Sequence, residues 1–166
     1  MSKVTFYILE HVTDDNSQQP AHLVLACQLA AKCFRSKQRC LVFCDTQALA
    51  EQFDELLWQL PTDSFVPHNL AGEGPPGGAP VEISWQAPGQ YNRGVLINLS
   101  PEVPDFHHRF SQIYDFVPAG DALKQQARDR YKDYRGAGNQ LDTLPGSTLS
   151  NDTVPGNSMN ETQPNG

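Results

Sequence analysis

Apolar and polar positions switch between two periods along the first half of the chain. Residues 4–9 (VTFYIL) are β-branched, aromatic or aliphatic throughout, which predicts a strand. A polar turn follows at residues 13–19, and Pro20 suits the first turn of a helix, where a missing N–H costs little. On a helical wheel Leu23, Cys27, Ala30, Ala31 and Phe34 share one face. Lys32, Arg35 and Lys37 close that helix, where cations complement its dipole. Residues 40–44 (CLVFC) predict a second, parallel strand. Asp45 or Thr46 can cap the next helix, whose apolar stripe is Leu49, Phe53, Leu56, Leu57 and Leu60 and which Pro61 stops. This β-α-β-α opening predicts an α/β fold with a largely parallel sheet. Further strands are expected at residues 81–85, 95–99 and 112–117, with a short helix near Pro104 and a longer one over residues 121–135.

After Arg135 the pattern stops. Residues 136–166 are rich in Gly, Asn, Ser, Thr and Pro and hold no aromatic residue and no Lys or Arg. Such a segment buries too little surface to offset the entropy of ordering it. The expected organisation is one α/β domain over residues 1–137 and a disordered polar tail over residues 138–166. The whole chain, 166 residues with 39% hydrophobic positions, suits one domain with a core. It has no run of about 18 apolar residues that would span a membrane. Its start, Met1-Ser2-Lys3-Val4, lacks a signal-peptide layout. A cytoplasmic protein is expected.

The net charge of −7 argues against broad nucleic-acid binding, which needs a basic surface. The charge is uneven, however. Five of the twelve basic residues lie between Lys124 and Arg135. Cys27, Cys33, Cys40 and Cys44 sit in apolar stretches with no metal-site spacing, so buried, reduced thiols are expected.

Motifs for chemistry are weak. Residues 72–77 literally match G-x-G-x-x-G, but two prolines remove N–H donors, Glu73 repels anions, and a strand rather than a helix follows. A rigid surface loop fits better. No Lys or Ser/Thr completes a P-loop. His107 and His108 point about 100° apart on a helix and make a poor metal pair. His68, beside Pro67, is expected to bond backbone from a loop. No catalytic residue, cofactor or metal ligand is assigned.

Two features stand out. Trp58 falls at about 180° from Leu49, opposite the core stripe of its helix. It reads either as an exposed interface anchor or as a residue covered by the Phe65 segment, and the readings agree if Trp58 and Phe65 form one apolar patch. On the last helix Leu123, Ala127 and Tyr134 should face the core. Lys124, Arg128, Lys132 and Arg135 fall on a neighbouring stripe about 80° wide, with Tyr131 at its edge. Four cations beside an aromatic ring suit an acidic peptide ending in an apolar side chain. The same pattern also fits an ordinary solvated helix face.

Residues 64–74 (SFVPHNLAGEG) and 77–83 (GGAPVEI) are similar to the DNA polymerase III holoenzyme chi subunit family. So are Thr5-Phe6-Tyr7, Asp115-Phe116-Val117-Pro118, Arg128, Tyr131-Lys132 and Tyr134-Arg135. The resemblance covers roughly residues 1–143. It implies a Rossmann-like three-layer fold without a nucleotide site, and a non-catalytic subunit of the polymerase complex. It implies a one-to-one heterodimer with the psi subunit, attachment to the clamp-loader complex through psi, and binding of the acidic C-terminal tail of single-stranded-DNA-binding protein. Carried over by position, the tail site falls on Val117, Lys124, Arg128, Tyr131 and Lys132, and Arg135 joins it from the wheel. The psi-contact surface falls on Trp58 and Phe65. DNA would be met mainly indirectly. The competing readings are a single-stranded-DNA-binding replication or repair factor using the basic helix directly, and a small nucleotide-binding α/β enzyme.

Overall fold

The computed structural model describes residues 1–89 and 93–153. Seven parallel strands form one sheet, in the order β3-β4-β2-β5-β6-β1-β7. They are β1 (Lys3–Ile8), β2 (Cys40–Phe43), β3 (His68–Leu70), β4 (Val81–Ser84), β5 (Val95–Asn98), β6 (Gln112–Val117) and β7 (Gln140–Pro145). The helices are α1 (Ala21–Arg35), α2 (Gln47–Gln59), α3 (Asp121–Gly136) and α4 (Gly146–Thr153), with one 3-10 turn at His107–Arg109. The α/β three-layer expectation holds. No helix among the described residues is long and apolar enough to cross a membrane.

The alternation of side chains along each strand divides the core in two. One cluster joins Tyr7, Val42, Ile83, Ile97 and Phe116 to α1, α2 and Leu149 of α4. On the other face Val4, Phe6, Leu41, Leu96 and Ile113 meet Phe110 and Tyr134. A parallel sheet covered on both sides needs apolar strands, and all four residues of β5 are buried. α1 buries Leu25, Ala26, Leu29 and Cys33 besides the predicted stripe. The wheel gave too narrow a face because α1 packs against α2 and α4 as well as the sheet. In α2, Thr46 Oγ1 accepts the Leu49 N–H at 3.1 Å as the cap, and the helix ends at Gln59, before Leu60-Pro61.

Secondary structure runs past residue 137, and the expected boundary there is corrected. β7 pairs in register with β1 from Lys3↔Gln140 to Ile8↔Pro145. Half of its residues are polar, which suits an edge strand that is mostly exposed. What holds it is non-local. The Gln140 N–H donates to the Ser2 carbonyl at 3.0 Å, Leu141 packs on the second cluster, and Leu149 of α4 is fully buried in the first. A Cβ at Gly146 would stand 3.1 Å from the Ile8 carbonyl oxygen, so the β7–α4 junction is closely packed there. The rest of the expected tail, residues 154–166, lies outside the described residues.

The glycine-rich stretch is a surface loop between β3 and β4. Arg39 donates to the Gly77 carbonyl at 2.6 Å and Arg93 to the same carbonyl at 2.9 Å, so the loop turns carbonyls, not N–H groups, towards these cations. Gly78 has φ +78° and a side chain there would collide with Glu82 and Arg93. His68 begins β3 instead of lying in a loop, and its Nδ1 lies 2.7 Å from the Val66 carbonyl.

Two candidate partner surfaces on opposite faces of the sheet

α3 covers the face of the second cluster, and its inward contacts are few: Ala127, Arg130 and Tyr134 are its buried residues. A polar knot compensates. Asp115 of β6, fully buried, accepts from Arg130 Nε (3.1 Å), Asn98 Nδ2 (3.0 Å), Tyr134 Oη (2.8 Å) and the Phe116 N–H (2.6 Å). Arg130 also donates to the carbonyls of Phe116 (2.9 Å) and Pro101 (3.2 Å). Burial pushes the Asp115 carboxyl above its ordinary range, opposed by Arg130 and by the Asn98, Phe116 and Tyr134 donors. Burial and the Asp115 charge hold the Tyr134 hydroxyl well above its usual range, so it remains a donor. The knot fixes α3 in rotation against the sheet.

With Arg130 inside, four cations of the helix are left outside. Lys124, Arg128, Lys132 and Arg135 are all exposed. Tyr131 is half-buried between the stripe and the core, its ring centroid 5.5 Å from that of Phe6. The Arg135 guanidinium stands 5.8 Å from the Tyr131 ring centroid. Val117, at the end of β6, is half-buried in the same cluster. Arg128 is engaged only loosely, 3.5 Å from Gln125 Oε1. The surface is thus a cationic strip along an aromatic and aliphatic seam. Leu123 departs from expectation: it is 41% exposed. It borders a hollow of about 190 Å³ shared with His22, Pro101 and Gln126. A wheel gives direction, not the presence of a neighbour.

The second surface lies on the opposite face, at the end of α2. Trp58 is 56% and Phe65 66% exposed, and their ring centroids are 5.9 Å apart. The Phe65 segment therefore adjoins Trp58 without covering it, and the two form one apolar patch. His68 lies beneath, its ring centroid 4.5 Å from the indole. Its Nε2 is buried without a hydrogen bond, 3.3 Å from Asp54 Oδ1. The patch is built by the α2 stripe: Phe53, Leu56 and Leu57 are buried, which turns Trp58 outward.

The structure groups Val117, Lys124, Arg128, Tyr131, Lys132 and Arg135 on one face and Trp58 with Phe65 on the other. Sequence reasoning missed Arg130 as an internal residue. The available signal was its position on the wheel, about 60° from Ala127 and about 40° from Tyr134. The four cysteines are buried and free.

The family model for the DNA polymerase III chi subunit, HolC, matches residues 1–142. DNA polymerase III subunit chi of Escherichia coli (strain K12) is 47% identical over 86% of this chain and 97% of its own. The protein of the same name in Haemophilus influenzae is 51% identical over 72% of this chain and 83% of its own. That of Pseudomonas aeruginosa is 33% identical over 85% and 94%. Among solved structures, that of T4 UvsW matches with a TM-score of 0.55 at 9% identity, over 87% of this chain and 41% of that one. At that identity the likeness concerns the α/β fold alone.

Proposed function

The chain belongs to the DNA polymerase III chi subunit family, an accessory and not the catalytic part of that polymerase, and from that premise we propose that it is a two-sided adaptor acting in the cytoplasm. One side, Trp58 with Phe65, takes the psi subunit in a one-to-one heterodimer, and through psi the clamp-loader complex. The other, the α3 stripe with Tyr131 and Val117, takes the acidic C-terminal tail of single-stranded-DNA-binding protein. The chain thereby tethers the replication machinery to coated template.

The observation that carries this reading is the α3 surface. Four exposed cations flank a half-buried tyrosine on a helix whose fifth cation is locked inside. An acidic peptide satisfies both halves: carboxylates pair with Arg128 and Lys132, and an apolar side chain packs on the seam beside Tyr131. Charge-assisted contacts of this kind contribute about 1.5–3 kcal/mol each when partly desolvated. The chain's overall charge of −7 weighs against gripping bare DNA strongly.

The test compares naked single strands with strands coated by single-stranded-DNA-binding protein, in the same gel-shift or interferometry format. Binding to coated strands alone, lost when the coat protein lacks its acidic tail, is the expected result. Equal binding to naked strands would favour a direct DNA-binding factor instead.

A further inference from the structure

The chain segment that carries the Trp58 patch is one-sided in charge. Between Arg39 and Arg93 the chain carries seven acidic residues and no Lys or Arg. The two bounding arginines are engaged elsewhere: Arg39 on the carbonyls of Gly77 and Gly78, Arg93 on loop carbonyls and on Glu82 at 3.4 Å. Glu82 is thus answered. Glu51, Asp54 and Glu55 of α2 are not answered by any Lys or Arg of this segment. On the helix they fall within about 20°, 40° and 60° of Trp58. Glu51 and Glu55 are exposed and Asp54 is half-buried at the patch floor.

The three acids sense one another. The Asp54 carboxyl is raised above its ordinary range by burial first, with Glu55 and Glu51 adding and His68 opposing. Below the indole, His68 Nε2 is a fully buried polar atom aimed at Asp54 without closing a hydrogen bond. An apolar anchor flanked along its helix by like charges attracts a surface of opposite sign and rejects one of the same sign.

We propose that the partner seated on Trp58 and Phe65 meets Glu51, Asp54 and Glu55 with a Lys- or Arg-bearing segment beside its apolar anchor. The proposal rests on reading this patch as the psi-contact surface. It also gives the molecule a sorting rule. The acidic tail directed to α3 is repelled from the Trp58–Phe65 patch, so the two partners do not exchange places.

The experiment titrates the full chain with its cognate psi subunit at about 50 mM and about 500 mM salt, where screening lengths differ severalfold. The variants are E51Q/E55Q, both at exposed positions, E51Q/D54N/E55Q, and W58A. The parent complex should weaken about tenfold at high salt. At low salt the triple variant should bind about five- to tenfold less tightly, chiefly through slower association, and should lose most of the salt dependence. If both charge variants match the parent in affinity and salt slope while W58A loses psi, the partner is not basic and the proposal falls alone. If W58A binds psi like the parent, the surface reading falls and takes the proposal with it.

Discussion

Arg130 Nε donates to Asp115 Oδ1 at 3.1 Å, and both side chains are buried between α3 and β6. Removing one partner of such a pair leaves an uncompensated charge inside, which costs about 3–5 kcal/mol. Asp115→Ala should therefore lower the unfolding free energy by about 3 kcal/mol or more in urea titration. It should also weaken tail-peptide binding, because α3 loses its anchor. A loss under about 1 kcal/mol would show that the knot does not hold the helix.

Arg128→Ala should weaken binding of the acidic tail peptide about tenfold or more, since a charge-assisted contact is lost. Lys132→Ala should act in the same direction, and added salt should weaken the parent. Stability should barely change, both residues being exposed. Calorimetry with the peptide checks this. Normal binding by both variants would move the site elsewhere.

The buried thiols should be silent. Burial pushes Cys27 and Cys44 up to about 12, so almost no thiolate forms near neutral pH. A thiol reagent at pH 8 should label none of Cys27, Cys40 and Cys44 within minutes in the native chain. The Cys33 thiol is held below its ordinary range by Cys40 and Lys32, so burial alone protects it. All four should label in denaturant. Fast native labelling at any of them would contradict the packing of α1 against the sheet.

Truncation should have a sharp boundary. Ending the chain after Leu144 removes Leu149 from the core and should cost about 2–5 kcal/mol, as large core deletions do. Ending it after Thr153 should leave both stability and tail-peptide affinity unchanged within about threefold. The segment then removed holds one acid, Glu161, and an exposed pair contributes only about 0–1 kcal/mol. A tighter site after this second truncation would show that the tail competes for α3.

Much of this architecture is legible in the sequence where local pattern and burial agree. The strands expected at residues 112–117 and 40–44, the second of which ends at Phe43, and the outward turn of Trp58 follow from period and stripe alone. The misreadings share a cause. β7 mixes polar and apolar residues without a strand-like run and becomes a strand only because β1 offers an unpaired edge, so its structure is encoded more than a hundred residues away. Arg130 is charged in composition yet internal, because the Asp115 carboxylate and the carbonyls of Phe116 and Pro101 accept its hydrogen bonds. Leu123 is apolar yet exposed, because the first turn of α3 borders a hollow. Each depends on a neighbour that no window of sequence contains.

α2 and α3 lie on opposite faces of one sheet, and a rigid three-layer body stands between the surfaces they carry. Ligands held on the two sides do not compete for space, so on the proposed reading both can be engaged at once. Attachment to a template carrying many tails then becomes a matter of avidity: release at one contact leaves the body tethered, and rebinding occurs at a high local concentration. Affinities that are modest singly thus combine into lasting residence, while each contact stays weak enough to be exchanged.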